Sequence, residues 1–142
     1  MSQENVETVR KAFQLLFLEE DLDRVFREGL AAPDVEWRPS AEVPDAAHYI
    51  GPEGVAKFIR LWTQDFAEWS VRVDRYIDAG DRVVAFVHQT ARGKGSGVPV
   101  EQRFGVVLML SGGVITNVKV YTDRAEAIEA AGLGNRTSLG ED

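Results

Sequence analysis

The sequence predicts an α+β domain, with helices packed on one curved antiparallel sheet. Residues 69–121 hold four apolar, β-branched-rich runs parted by Gly-containing turns, the pattern of an antiparallel meander. The segments before it repeat their apolar residues at helical period, and one short helical segment follows. Helices grouped ahead of consecutive strands make an α+β order, not a βαβ alternation. At 142 residues the chain reads as one domain over 1–134, followed by a polar, Gly-containing tail at 135–142.

Residues 3–18 place Val6, Val9, Phe13, Leu16 and Phe17 on one helical stripe, with Glu4 and Glu7 in the first turn, where the helix dipole favours negative charge. Asp21 is suited to cap a second helix with Leu22, Val25, Phe26 and Leu30 inward, ended by Gly29 and Pro33. Residues 34–38 form a short strand, with Val35 and Trp37 on one side and Glu36 and Arg38 on the other. PSAEVPDAAHYI (39–50) has two prolines and no period, so it is a long loop, and loops of that length are often functional. Pro52 suits the first position of a third helix whose apolar face is Val55, Phe58, Ile59, Trp62 and Phe66.

Within the meander, turns fall at Asp78-Ala-Gly-Asp81, at 93–97 and at Ser111-Gly-Gly-Val114, the last a two-residue hairpin signal. Pairing across that hairpin without a bulge puts Phe104, Val106, Leu108 and Leu110 on one face with Ile115, Asn117, Lys119 and Tyr121. Gly105, Val107 and Met109 then share the other face with Thr116, Val118 and Val120. Both faces are substantially apolar, so one packs on the helices and the other needs cover, which predicts a homodimer through the sheet. Asp123 and Glu126 stand at capping-box spacing before a last helix, and Gly132 closes it, with Leu133 folding back.

A net charge of −7 with no basic cluster argues against nucleic acid as the main partner. The absence of cysteine excludes disulfides, thiolate catalysis and Cys-type zinc sites, and the two histidines lack the spacing of a helical metal pair. The opening MSQENVETVRKAF is charged and helix-periodic where a signal peptide needs an apolar core, and no apolar run approaches membrane length. These features predict a cytoplasmic, soluble protein without membrane contact.

The segments ENVETVRKAFQ, DVEW, YIGPEGVAKFIRLW, IDAGDRVV, GKGSGVPVE and GGVITNVKVYTDRAEAIEAAGL, in this order, resemble the SnoaL-like polyketide cyclase family of the nuclear transport factor 2-like superfamily. The resemblance implies a cone-shaped barrel, helices against a curved sheet, on which cyclases, isomerases, epoxide hydrolases, dehydratases and pure binding modules all occur. No one of these chemistries transfers intact. The late-sheet aspartate of SnoaL-type cyclases has no counterpart in runs 104–110 and 114–121, and Asp123 is spent on a cap. The first-helix tyrosine of ketosteroid isomerases is replaced by Phe13 and Phe17. The Asp–Arg–Asp set of limonene-epoxide hydrolases is approached only by Glu101 with Arg103, in the wrong order.

Two histidines are the candidate proton movers. His88 lies in phase with Val84 and Phe86, either a general base or a hydrogen-bonded core or interface histidine. His48 ends the long loop with Asp45 nearby to orient it, or is simply an exposed loop residue. Phe17, Trp37, Tyr49, Trp62, Phe66 and Tyr121 are the candidate substrate-binding residues: aromatic walls for a small hydrophobic molecule, Tyr121 donating to a carbonyl. GKGSG lacks the strand–loop–helix setting of a phosphate cradle and reads as a turn. Two functions stay open. One is a cyclase- or isomerase-type enzyme without metal or organic cofactor, acting on a hydrophobic carbonyl compound by acid–base chemistry. The other is a non-catalytic ligand-binding or scaffold module.

Overall fold

The computed structural model describes residues 2–39 and 49–133. Helix α1 (Ser2–Phe13) runs into a π turn over Gln14–Leu18, where the Glu19 N–H reaches back to the Gln14 carbonyl at 3.0 Å. Helix α2 (Leu22–Arg27) starts as the sequence predicts, the Asp21 carboxylate accepting from the Arg24 N–H at 3.2 Å. Strand β1 (Ala31–Arg38) begins earlier than expected and carries Pro33 inside it. Strand β2 (Tyr49–Ile50) and helix α3 (Gly51–Thr63) follow, Pro52 at the helix start. Strands β3 (Phe66–Asp78), β4 (Arg82–Gly93), β5 (Pro99–Ser111) and β6 (Val114–Tyr121) form the meander, and α4 (Arg124–Ala130) closes the described chain. Phe66 therefore opens a strand and does not extend the apolar face of α3.

The six strands make one curved, unclosed sheet in the order β2-β1-β6-β5-β4-β3. It is not wholly antiparallel, because β1 joins β6 in parallel. This is the α+β architecture of helices on a curved sheet that the sequence predicts. Helices α1, α2 and α3 pack on the concave face, where Val9, Val35, Val55, Val83, Ala85 and Leu108 are buried. No described helix is long and apolar enough to cross a membrane.

The β5–β6 hairpin turns on Gly112 and Gly113 at φ +59° and +80°, a left-handed pair that glycine adopts without strain. The bulge-free register expected from sequence does not hold. Leu110 pairs with Ile115 but Met109 pairs with Asn117, so Thr116 is the extra residue, its hydroxyl donating to the Met109 carbonyl at 3.2 Å. That single insertion flips the rest of β6. Val118 and Val120 join Val106 and Leu108 on the concave face, while Asn117, Lys119 and Tyr121 turn outward beside Val107 and Met109.

The bulge makes the outer face of β6 more polar, while Val84, Phe86, Val107 and Tyr121 keep an apolar strip on the convex side. Part of the convex side is covered by α4, whose Ala127 and Ala131 bury Val84 and Val107. Arg124 holds this helix down, its guanidinium donating to the carbonyls of Val87 (3.0 Å) and Phe104 (3.3 Å) and to Asp74 (3.1 Å). Asp123 caps it at the Ala125 N–H (2.8 Å). At its other end Gly132, at φ +84°, donates to Glu129 and Leu133 to Ile128, the paired bonds of a Schellman motif.

Candidate functional site

Between the helices and the concave face lies a cavity of about 40 Å³. Phe13 and Phe17 wall it from α1 and the π turn, Phe58, Ile59 and Trp62 from α3, and Trp37 from β1. The sheet adds Trp69, Val71, Val87, Phe104, Val106 and Val120. The rings interlock: Phe17 meets Trp69 edge-on with centroids 5.7 Å apart, Trp37 lies 5.3 Å from Phe58, and Trp62 lies 5.9 Å from Phe104. A bulge between Ala67 and Ser70, with Glu68 at φ +53°, lies beside Trp69 on this edge strand. About 10–15 Å³ on this measure holds one water, so the space as it stands takes roughly three.

Among the described residues Gln89 contributes the one amide to this lining, and it is completely buried. The indole N–H groups of Trp62 and Trp69 both donate to its Oε1, each at 2.8 Å. An indole nitrogen only donates, so this pairing fixes which end of the amide is oxygen. The Nε2 end donates to Gln102. Trp37 is different. Its indole N–H is shielded from solvent and has no hydrogen-bond partner among the described residues. Among those residues no ionisable side chain lines the cavity.

The expected site residues divide between the two faces. Phe17, Trp37 and Trp62 line the cavity, and Tyr49 borders it, its ring 5.5 Å from Phe58 and its backbone paired with Trp37. Phe66 pairs with Gly93 at the end of the sheet and is not part of the lining. His88 does lie in phase with Val84 and Phe86, but that phase is convex. It pairs across the strands with Arg72 and Arg103, and its Nε2 sits 2.6 Å from the Glu101 carboxylate. Its Nδ1 is buried without a partner among the described residues. The sheet thus separates His88 from the cavity. Tyr121 is convex too, because of the bulge at Thr116, and burial raises its phenol pKa above the usual value, with Glu126 adding to the rise. His48 and Asp45 lie outside the described residues.

Sequence reasoning missed Gln89, Phe13, Trp69 and Phe104. Gln89 carried a usable signal: a polar residue in phase with Val83, Ala85 and Val87, where an amide must find partners. Trp69 carried none, since its position depends on a bulged edge strand. No group of three His, Asp or Glu residues among the described ones has the arrangement of a metal site.

The family model described as a SnoaL-like domain matches residues 9–118. A nuclear transport factor 2-like protein of unknown function from Burkholderia pseudomallei superposes with TM-score 0.69 at 26% identity, covering 89% of this chain and 95% of its own. A candidate SnoaL-like polyketide cyclase from Jannaschia sp. gives TM-score 0.71 at 22% identity, covering 94% and 93%. TerC, crystallised with polyporic acid, gives 0.70 at 18% identity, covering 91% and 98%. The last two likenesses are likenesses of fold. No curated protein matches the sequence.

Proposed function

Because the chain belongs to the SnoaL-like domain family, we propose that its aromatic cone binds a small hydrophobic carbonyl compound and holds it by shape and one hydrogen bond. The observation that carries this reading is the Trp37 indole: a buried N–H without a partner among the described residues, on a residue that lines an apolar cavity. A buried unpaired donor costs about 1–3 kcal/mol, and a ligand oxygen relieves that cost where a hydrocarbon does not. Aromatic walls with few, fixed polar groups suit such a ligand. The present space holds only about three waters, so the walls must open around a ligand, and compact ketones such as cyclohexanone and acetophenone ask for the least opening.

Thermal-shift titration of these ketones against cyclohexane and ethylbenzene tests the reading. A ketone at one hundred times its Kd adds about 2.7 kcal/mol of stability. Trp37→Phe is expected to weaken ketone binding about two- to tenfold, from a net hydrogen bond of about 0.5–1.5 kcal/mol, and to leave the hydrocarbons unaffected. His88→Ala, on the other side of the sheet, leaves ketone affinity unchanged. Equal loss of ketone and hydrocarbon affinity in Trp37→Phe sinks the hydrogen bond; no binding at all sinks the site.

A cyclase- or isomerase-type reaction is the second reading, favoured by the position of Tyr49. Its ring packs on the cavity wall at Phe58, and His48 is its neighbour in the chain. In this reading His48, assisted by Asp45, takes a proton from the carbon next to the carbonyl and returns one. Wild-type protein in heavy water then exchanges that hydrogen for deuterium, and His48→Ala does not. Absence of exchange in the wild type leaves binding alone.

A further inference from the structure

The convex face carries a second concavity, a groove of about 300 Å³ between β5, β6 and α4, separated from the cone by the sheet itself. Its apolar part is Val107, Met109 and the ring of Tyr121; its polar part is Arg38, Arg82 and Lys119. The register explains the grouping. Arg38 stands beside Lys119 and Lys119 beside Val107, while Asn117, Met109 and Arg82 make the adjoining row. All three cations gather round one phenol: the Lys119 ammonium lies 5.4 Å from the Tyr121 ring centroid, and both guanidinium groups act electrostatically on its hydroxyl.

The charges are poorly matched. Among the described residues no carboxylate lines the groove. Glu36 pairs with Arg38 at 3.1 Å, and Glu126 acts on Tyr121 from α4, so among the described residues one carboxylate is paired against three cations. The Arg82 guanidinium has no hydrogen bond or ion pair among the described residues, and the Nε of Arg38 is buried without one. Half-buried like charges repel one another, and in a chain of net charge −7 they are no consequence of a general excess of base. Guanidinium groups beside an apolar floor suit a planar anion carried on an apolar body.

We propose that this groove binds a small amphipathic carboxylate, its charged end on Arg82, Lys119 and Arg38 and its apolar body against Val107, Met109 and the Tyr121 ring. Tyr121 adds a hydroxyl donor. The inference does not rest on the ketone reading of the cone, because the two sites lie on opposite faces of one sheet.

The test is a titration of the full chain with phenylbutyrate, its neutral analogue phenylbutanol and inorganic phosphate, followed by amide chemical shifts and calorimetry. Phenylbutyrate is expected to move the amides of Val107, Met109, Lys119 and Tyr121 saturably. Arg82→Gln with Lys119→Gln, checked for wild-type spectral dispersion, weakens it by about tenfold or more, since each tenfold is only 1.4 kcal/mol. Phenylbutanol does not bind there. The proposal falls if these amides stay still, or if the alcohol binds as well as the acid. It also falls if the double variant binds normally, or if the shifts appear at Trp62 and Gln89 in the cone. Phosphate binding equal to phenylbutyrate overturns the amphipathic class, and amides that shift on dilution without any probe mean that a second copy covers the groove.

Discussion

At the scale of residues, Gln89 joins stability to site geometry. It is the amide on which two tryptophans converge, and its burial leaves water no access to replace it. Gln89→Leu removes the shared acceptor and strands two indole N–H groups, at about 1–3 kcal/mol each. Urea unfolding of Gln89→Leu is expected to show a loss of about 2 kcal/mol or more, with the tryptophan fluorescence of the native state altered. Gln89→Glu keeps an acceptor and so restores part of the loss at neutral pH, less the cost of burying its charge. A variant as stable as wild type would mean that the indoles find other partners.

At the scale of elements, two contacts join neighbours, one between helix and sheet and one between helices. Helix α4 approaches β5 so closely that a Cβ built on Gly105 lies 2.6 Å from the Ala127 methyl. Gly105→Val therefore forces helix and strand apart, and overpacking of this kind costs about 1–3 kcal/mol. Its thermal midpoint should fall, and Ala127→Gly in the same chain should recover part of that fall. The second contact ties α1 to α2. Glu28 accepts from Lys11 at 2.8 Å and from Arg24, and these bonds, led by Lys11, hold its carboxyl at about 2 against an ordinary 4.5. The folded value is the lower one, so the stabilisation is fully present above about pH 4.5 and disappears as the pH falls towards 2. Glu28→Gln should flatten the stability profile across that window and leave its shape unchanged above it. Added salt should shrink the difference, because the groups are exposed.

For the whole molecule, the sheet order predicts how stability is distributed. Strands β4 and β5 are paired on both sides, packed on the concave core and partly covered by α4, whereas β3 and β2 are edges. Hydrogen exchange should be slowest at Val84, Ala85, Val106 and Val107 and fastest in β2 and the outer hydrogen-bonding positions of β3. If β3 exchanges as slowly as β4, its edge is covered in solution by another chain.

Much of this arrangement was legible in the sequence because it depends on local physics. Helical and strand periods, the Asp21 and Asp123 caps, the Gly112-Gly113 turn and the Gly132 stop are each read from a few consecutive residues, and the structure realises the caps, the turn and the stop, while Phe66 leaves the helical face to open β3 and Tyr49–Ile50 pairs as a strand. The alternation along β4 was equally legible, and it paired His88 with Val84 and Phe86 as the structure does. What alternation cannot say is which side faces the helices. That was decided by tertiary packing, which set His88 against Glu101 on the convex side and Gln89 among the tryptophans on the concave side. The bulge at Thr116 is the same lesson at one position. A single unpaired residue, with no strong local signal, moved Tyr121 and Lys119 out of the cone and into a basic groove with Arg38 and Arg82. Sequence alone determined the helices, the long strands and their order, since those follow from neighbours along the chain, but not the short β2, which exists only by pairing with β1. Only the tertiary structure decided which side chains share a cavity, since that depends on register between strands far apart in sequence.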